Sequence, residues 1–415
     1  MGGGKQRTFF DGCGLCSAGR WKPEQRRSDP TPLGKCLRQR LLGILLRDLD
    51  IAKTIVLLAC GRCTKCPIPD ETVRDGRAAW IELLKRFRLT NPSPDVSDQM
   101  LEEVTLYQPY FLYAIGEHLR LIGDPDWRVF YQRRFSFTRG INLGIKEPLP
   151  RNPAVFERRC KVGKYDDNDG QAPETKNNYK SVRGQEEKLR KQFEEERDLG
   201  MMYSITRAAA REKFGDNFVT AALGALAKDD DRVRVLFDAT HGVRSNPAVQ
   251  QRDQLHTPGA RDARAEVAYW HDVGVKPFSL KGDVEKAHRR YLVHEDDHEH
   301  QLCTLDDGED EVWVNRVGTF GFVPAALWFA RVQGGVARAA LTLVLQCMFF
   351  QALYADDYRW TSGGIDAIPN LLLVIFFTVM AGTPLLVEKV RRWHQHRLGR
   401  NLFRVSVFLA WNHCI

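Results

Sequence analysis

Two adjacent aspartates, Asp356 and Asp357, follow an apolar, strand-like segment at residues 341–350. Neighbouring carboxylates repel each other and burial disfavours both charged forms, so such a pair stands either in a hydrated turn or on a metal ion. A β-hairpin with Tyr354-Ala355-Asp356-Asp357 at its tip would place Asp356 beside a carboxylate of another strand, where both could bind a divalent cation. Because Asp-Asp is also common in exposed turns, the surrounding elements have to decide between these two interpretations.

A second candidate carboxylate, Asp283, stands at the end of a predicted strand. The predicted turn or helix after it carries positive charge on Lys286, Arg289 and Arg290. We therefore expect this stretch to be the second place where chemistry occurs. The acidic, histidine-containing residues 295–300 fit no standard zinc-ligand spacing, and they are predicted to form a hydrated loop.

Arg232 and Arg234 belong to a predicted β-hairpin. Residues 218–228 are mostly apolar, residues 229–231 are three aspartates that would form the turn, and residues 232–237 begin by alternating basic with apolar side chains. Strand alternation places the two arginines on one face. That face suits phosphate groups, and it equally suits an ordinary solvated surface, so both interpretations stay open.

Phe320 and Gly321 fall in a predicted turn at residues 318–324. A strand is expected before it, at residues 312–317, and a helix after it, from residue 325 to about 332. Glycine lacks a Cβ, so Gly321 would let the backbone approach a flat ligand such as a base pair.

Apolar residues at helical spacing predict the scaffold around these candidates. Thr206 is expected to cap a short helix that ends near Gly215, and Leu189 and Phe193 are expected on one face of a charged helix. The predicted helical ranges are 41–60, 78–87, much of 98–150, 185–199 and 207–213, with a turn expected at residues 123–126 and a proline-rich loop at residues 144–153.

Composition and charge limit the class of protein. The chain has 415 residues, enough for two or three domains, with 43% hydrophobic and 27% charged residues, which is typical of an ordinary soluble protein. The net charge of +8 suits a polyanionic partner. The first residues lack the apolar core of a secretory signal, so we expect an intracellular protein, without a choice between cytoplasm and nucleus.

The ten cysteines leave two alternatives. In a reducing compartment they are expected to be free thiols. Cys13 and Cys16, and then Cys60, Cys63 and Cys66, have zinc-like local spacing. The two groups are too far apart for a compact zinc module, which makes zinc the minority hypothesis.

Residues 371–387 are almost wholly apolar and are interrupted near their end by Gly382 and Pro384. A membrane span needs about 20 apolar residues, so this segment is a minority candidate for one. The favoured interpretation is a buried strand or helix that breaks at residues 382–384, with no membrane partner.

The order of these pieces resembles the reverse transcriptase domain of retroelements. Asp283, Ala287 and His288 are similar to the family's first palm motif, and residues 354–357 are similar to its polymerase box. The resemblance implies an RNA-directed DNA polymerase that uses two Mg²⁺ ions, or Mn²⁺, held by Asp283 and Asp356 with Asp357 beside them. It implies RNA or DNA template-primer and deoxynucleoside triphosphates as partners.

Further positions follow from the same resemblance. Arg234 resembles the fingers arginine that grips the incoming triphosphate, and Phe320-Gly321 the motif that packs on the nascent base pair. Tyr354, Ala287 and His288 would complete the nucleotide site, where His288 stands at the position that excludes the ribose 2′-hydroxyl. Lys389 resembles the lysine that protonates pyrophosphate.

The implied fold class is α+β: the fingers and palm of a right-hand polymerase, with an antiparallel palm sheet and packed helices, preceded by a mainly helical N-terminal region. The resemblance covers roughly residues 185–392. The expected divisions are 1–95 (basic, cysteine-containing), 96–160 (helical leader), 161–260 (fingers-like), 261–392 (palm-like) and 393–415 (atypical tail).

Departures from the family pattern keep an alternative open. Phe320 and Pro324 differ from the residues of many members, and Lys281-Gly282 is unusually polar for the strand before the aspartate. No thumb, RNase H or integrase pattern follows, so we expect a truncated element copy. Its alternative is a catalytically inactive, nucleic-acid-binding remnant of the same fold.

Overall fold

The structure is a computed structural model that describes residues 31–51, 53–54, 68–105, 107–151, 172–228, 232–251, 253, 257–306, 308, 310–344 and 348–392, with the backbone alone over 386–392. The cysteine groups at residues 13–16 and 60–66 and the tail at residues 393–415 lie outside the described residues, so the predictions on them stay predictions. Within the described residues, Cys36 and Cys303 are free thiols, as expected.

The described chain begins with helices and continues with a mixture of helices and antiparallel strands, and the predicted α+β class is confirmed. The helices are α1 (Pro32–Asp48), α2 (Asp70–Arg88), α3 (Leu112–Leu121), α4 (Arg128–Tyr131), α5 (Glu186–Asp198), α6 (Arg207–Phe214), α7 (Ser245–Ala248), α8 (Ala260–Asp272), α9 (Val323–Leu341) and α10 (Ala367–Met380). The strands are β1 (Met202–Thr206), β2 (Leu223–Ala227), β3 (Val233–Phe237), β4 (Phe278–Val284), β5 (Leu302–Cys303), β6 (Glu311–Asn315), β7 (Phe349–Tyr354), β8 (Asp357–Ser362) and β9 (Leu385–Arg392).

The described strands form three antiparallel sheets. Their orders are β7-β8-β4-β9, β1-β6-β5 and β2-β3. The four-stranded sheet carries the predicted aspartates, with β4 between β8 and β9. Helices α9 and α10 contact this sheet, which buries one of its faces.

Local sequence signals predicted several elements correctly. The charged helix α5 buries Leu189 and Phe193, as its spacing indicated. The Thr206 side chain accepts a hydrogen bond from the Ala209 amide and caps α6, which ends at Gly215. These predictions are confirmed because capping and amphipathic spacing act within a few residues.

The predicted hairpin exists as β2 and β3, although its first strand begins at Leu223 and not at residue 218. Its turn, residues 229–231, lies outside the described residues. Arg232 and Arg234 are exposed on either side of buried Val233, so the predicted alternation is confirmed.

The two N-terminal helices have other bounds than predicted. Helix α1 begins at Pro32 and ends at Asp48, whereas the predicted helix covers residues 41–60. Proline at the first turn and the Thr31 hydroxyl, which accepts from the Gly34 amide, fix this start. Helix α2 begins eight residues earlier than predicted, at Asp70, where acidic residues suit the helix dipole.

Residues 98–150 are less helical than predicted. They contain a 3₁₀ turn at Met100–Glu102 and the helices α3 and α4, joined by turns. The predicted turn at residues 123–126 lies between α3 and α4, where Gly123, with a φ of 77°, ends α3.

The predicted hydrated loop at residues 295–300 is wrong. The structure has a 3₁₀ helix at Glu295–Gln301 that buries Asp297 and His298. The Asp297 carboxylate accepts from the Leu143 amide at 2.7 Å, and His298 Nε2 lies 3.1 Å from the Val293 carbonyl oxygen. Burial raises the pKa of Asp297 and lowers that of His298 to about 4. Polarity alone predicted hydration, whereas Asp297 finds a backbone partner in a distant segment and His298 one in the residues just before the 3₁₀ helix.

The elements before the aspartate hairpin also differ from their predicted bounds. Helix α9 extends to Leu341, beyond the predicted end near residue 332. The strand starts at Phe349, so the apolar segment at 341–350 is mostly not strand. Alanine and other good helix formers at the end of α9 explain the extension.

The apolar segment at residues 371–387 is a buried helix followed by a strand. Helix α10 ends at Met380 and β9 begins at Leu385, so the predicted break at residues 382–384 is confirmed. None of the helices in the described chain is long and apolar enough to cross a membrane. Gly382 has a φ of 102°, and a Cβ there would overlap the carbonyl oxygen of Pro109.

The N-terminal helices and α9 share one hydrophobic core. Arg331 of α9 binds Asp126 at 2.7 Å, and Arg338 binds Asp124 at 2.5 Å. Each of these carboxylates is buried, so removing either arginine would leave a buried charge, at a cost of about 3–5 kcal/mol. Residues 112–131 are therefore fixed to the helix that supports the four-stranded sheet.

His118 joins three parts of this core. Its Nδ1 accepts a hydrogen bond from Trp80 Nε1 at 3.1 Å, and its Nε2 lies 3.2 Å from the Thr342 hydroxyl. Burial lowers the pKa of His118 to about 3. The imidazole is therefore neutral in the folded protein at any pH at which the protein is ordinarily handled.

This buried histidine predicts a pH-dependent stability. In the unfolded chain a histidine has a pKa of about 6.5. As the pH falls from 6.5 towards 3, this histidine binds a proton in the unfolded state but not in the folded state. The free energy of unfolding therefore decreases by up to about 1.4 kcal/mol per pH unit. We expect His118→Asn to reduce the slope of unfolding free energy against pH below 6.5, measured by urea denaturation.

His271 supplies the matched control for this measurement. Its side chain is 89% exposed and that of its neighbour Asp272 is 79% exposed, so His271→Asn should keep the slope of the unmodified protein. An unchanged slope in the His118→Asn variant would contradict the assignment.

Candidate active site

The hairpin of β7 and β8 presents the predicted aspartate pair at its tip. Tyr354 pairs with Asp357, so Ala355 and Asp356 form a two-residue turn. Ala355 has a φ of 49°, the left-handed conformation that such tight hairpins require. A non-glycine residue there stores strain. Both turn residues are exposed, which leaves the Asp356 carboxylate in contact with solvent.

Asp283 lies beside this hairpin because β4 pairs with β8. Asp283 is the direct cross-strand partner of Asp357, and the Val284 amide donates to the Asp356 carbonyl oxygen at 2.9 Å. The structure thus brings Asp283, Asp356 and Asp357 to one end of one sheet, although they come from separate parts of the sequence.

Lys281 lies on the same face of β4, two residues before Asp283. Its ammonium group forms an ion pair with Asp357 at 2.9 Å. Gly282, between them, points to the opposite face, where a Cβ would lie 2.8 Å from both Trp360 and Leu385. This close packing leaves no room for a side chain, which explains why a glycine follows Lys281 in the strand.

The buried face of β8 fixes the strand that carries Asp357. The Tyr358 hydroxyl donates to Gln333 Oε1 at 2.7 Å, and Trp360 Nε1 donates to Gln351 Oε1 at 2.8 Å. Burial raises the pKa of Tyr358 well above its usual value, so its hydroxyl stays protonated and able to donate. These contacts hold β8 against α9 and β7.

His288 and Phe320 form a stacked pair near the aspartates. Their ring centroids are 5.7 Å apart at an interplanar angle of 22°. Burial lowers the pKa of His288, while the nearby negative charge of Asp356 acts in the opposite direction. The Arg234 guanidinium lies 5.9 Å from the centre of the Phe320 ring, which joins the β2–β3 hairpin to this pair.

Gly321 brings the β2–β3 hairpin against the turn before α9. It has a φ of 106°, and a Cβ there would overlap the carbonyl oxygen of Phe237 at the end of β3. The predicted close backbone approach is therefore to the protein itself.

Sequence reasoning missed Asn246, which ties the same two segments. Its side-chain amide donates to the Gly321 carbonyl oxygen at 2.9 Å and accepts from the Val323 amide at 2.8 Å. The only signal was the Asn-Pro dipeptide, which marks a turn without naming its partner.

Sequence reasoning also missed a cluster of charged side chains that packs against the segment from Asp283 to His288. Arg289 binds Glu196 of α5, and it donates to Asn315 Oδ1 at 2.5 Å. Lys286, with a φ of 51°, lies 3.7 Å from the same Glu196 carboxylate. Ala287, between them, is buried. The predicted basic turn is thus held by α5, which fixes the backbone next to His288.

The remaining predicted residue, Lys389, lies on β9 opposite Lys281 in the backbone register. Its side chain is outside the described part of the structure, so its predicted role as a proton donor stays a prediction. Tyr354 ends β7 and is half-buried beside the turn.

A separate cavity of about 330 Å³ lies beside the β2–β3 hairpin. Tyr179, Asp238 and His241 line it, and none of the predicted site residues does. The Asp238 carboxylate accepts from the Tyr179 hydroxyl and from the Thr240 and His241 amides. Although burial opposes it, these hydrogen bonds lower the pKa of Asp238.

The chemistry of the aspartate donors suits a divalent metal ion such as Mg²⁺, which prefers hard carboxylate oxygens. The ammonium group of Lys281 on Asp357 shows that this end of the sheet accommodates a cation. Among the described residues, no group of three or more His, Cys, Asp or Glu side chains is close enough to hold a metal ion. Mg²⁺ is commonly bound by one or two carboxylates together with substrate phosphates, and Asp283 and Asp356 could supply those carboxylates.

Comparison with solved structures finds a likeness to foamy virus proteins. A foamy viral protease-reverse transcriptase in complex with double-stranded DNA has a TM-score of 0.39 and 13% identity, over 54% of this chain and 34% of that chain. The prototype foamy virus protease-reverse transcriptase has a TM-score of 0.40 and 12% identity, over 54% and 26%. The chain therefore spans about a third or less of these two structures.

No family model and no curated protein matches the sequence. Sequence identity at this level bears on the fold alone. The functional interpretation therefore rests on the geometry of the aspartates and their neighbours.

The close approach at Gly321 gives a prediction on stability. In Gly321→Ala, the positive φ costs about 1–2 kcal/mol, and the overlap with Phe237 adds about 1–3 kcal/mol. Gly215→Ala is the matched control, because Gly215 has a φ of 90° and open space around it. We expect urea denaturation to show the larger loss for Gly321→Ala; equal losses would contradict the close approach.

Proposed function

We propose that this chain is a nucleotidyltransferase of the reverse transcriptase type, an RNA-directed DNA polymerase of a retroelement. One observation carries the proposal: Asp283 pairs across the sheet with Asp357, next to the exposed turn that bears Asp356. Carboxylates brought together from separate strands, at the end of an antiparallel sheet, suit two-metal phosphoryl chemistry.

Two Mg²⁺ ions, when bound, would activate the primer 3′-hydroxyl and stabilise the charge on the leaving pyrophosphate. Asp283 and Asp356 would hold them. The register of β4 and β8 holds Asp283 beside the turn that carries Asp356 before any substrate arrives. Mn²⁺ has a similar preference for carboxylate oxygens and could bind to the same residues.

The nucleotide would lie against the His288–Phe320 pair. His288 is packed between Phe320 and Phe329, whose ring lies 6.0 Å away, so its position is fixed. A fixed ring beside Asp356 suits a wall that excludes a ribose 2′-hydroxyl. Phe320 is 46% exposed and offers a face to a base pair.

The triphosphate and the nucleic acid would be bound by positive charge. Arg234 is exposed next to Phe320, on the face of β3 that also carries Arg232. The net charge of +8 supports a polyanionic partner held through its phosphates.

Primer extension on an RNA template with Mg²⁺ tests the proposal, using the full chain. Asp356→Asn removes a metal-binding charge and keeps the size of the side chain. A metal ligand contributes several kcal/mol to the transition state, so we expect a loss of at least about 10²-fold to 10³-fold in rate.

Asp198→Asn is the matched control. Asp198 ends α5, is 77% exposed and belongs to another element than the four-stranded sheet, so its variant should extend primers at the unmodified rate. Equal rates for the unmodified protein and Asp356→Asn would refute polymerase activity at this site. Binding of template-primer without extension would then favour the inactive remnant.

A further inference from the structure

Lys281 is placed to reach across the sheet towards the aspartates. It stands two residues before Asp283 on β4, and Asp283 is opposite Asp357 on β8. Diagonal neighbours on one face of an antiparallel pair are about 7–8 Å apart, a distance that a lysine side chain spans. The observed ion pair, 2.9 Å between Lys281 Nζ and Asp357 Oδ1, follows from this arrangement.

The register itself creates the need for a cation. Asp283 and Asp357 are like charges in directly opposite positions, which destabilises a strand pair. The two groups of the ion pair are only 31% and 16% exposed, so solvent screens them less than it would on an open surface. The Lys281 ammonium offsets this repulsion without any metal.

The neighbouring cation Arg359 has a different ion-pair partner. Arg359 is the cross-strand partner of Lys281, but its guanidinium binds Glu266 of α8, which is buried. The Lys281 ammonium group, in contrast, forms its ion pair with an aspartate of the candidate site.

We propose that Lys281 is a built-in counter-ion that competes with a divalent metal ion for the Asp357 carboxylate. This inference rests on the proposed function, because it assumes that the aspartates bind a metal. A metal that uses Asp357 has to displace the ammonium group or share the carboxylate with it, so the lysine lowers the affinity of the site for divalent cations. It also allows the hairpin to pair with β4 in the metal-free protein.

Two effects follow when the charge of Lys281 is removed. Lys281→Met keeps the length of the side chain but eliminates the competing cation, so Mn²⁺ should bind more tightly. The metal-free variant should be less stable than the unmodified protein, because the Asp357 carboxylate, which is only 16% exposed, loses its ion pair with Lys281. Adding Mn²⁺ should then raise its melting temperature more than it raises that of the unmodified protein.

The experiment measures Mn²⁺ binding to the full chain by calorimetry, without nucleotide or nucleic acid, together with melting temperatures. We expect Lys281→Met to bind Mn²⁺ at least about tenfold more tightly, since a unit charge within a few ångströms of a divalent ion interacts strongly. Lys281→Arg should restore the affinity of the unmodified protein. Lys276→Met, which removes an exposed charge just before β4, should leave it unchanged.

The outcomes separate this inference from the proposed function. If Asp356→Asn weakens Mn²⁺ binding but Lys281→Met leaves it unaltered, the competition is refuted and the metal site stands. If neither the unmodified protein nor Lys281→Met binds Mn²⁺, both the competition and the metal-binding part of the proposed function fail. If Lys281→Met does not fold, Lys281→Gln, which keeps a polar side chain without charge, is judged by the same criteria.

Discussion

The register between β4 and β8 is the constraint on which the candidate site depends. It places Asp283 opposite Asp357 and brings the Val284 amide to the Asp356 carbonyl oxygen. Side chains alternate along a strand, so a slip of one residue would turn Asp283 into the core and Gly282 towards solvent. The buried rings of Tyr358 and Trp360, stacked 4.7 Å apart on the other face, fix the register against such a slip.

The helical support of this sheet explains why the N-terminal region matters to the site. Helix α10 is buried on all sides, and α1, α2 and α9 pack around it. Gly76 of α2 lies so close to Phe376 of α10 that a Cβ there would overlap the ring. Arg38 of α1 donates to Asn370 Oδ1 at 2.8 Å. Helices α1 and α2 therefore take part in the core that supports the sheet with the aspartates.

The sequence predicted those parts of the structure that depend on neighbouring residues. Thr206 caps its helix, Val233 alternates with its flanking arginines, and the aspartate pair ends in a tight turn, because each depends on a few adjacent positions. The contacts of Asn246 and Lys281 could not be predicted, since their partners lie on other elements and leave no periodic signal. The polar residues 295–300 were wrongly predicted to be hydrated, because the buried Asp297 carboxylate and His298 imidazole have backbone partners, the first of them in a distant segment. The uniformly apolar α10 likewise gave no indication of which helices cover it.

The central claim is that aspartates joined by strand register form one metal site. Its most direct test is the anomalous diffraction of Mn²⁺ in crystals of the full chain with template-primer and a deoxynucleoside triphosphate. The account predicts an anomalous peak at coordination distance, about 2.1 Å, from carboxylate oxygens of both Asp283 and Asp356. Anomalous peaks at other positions only, with none between these two carboxylates, would contradict it.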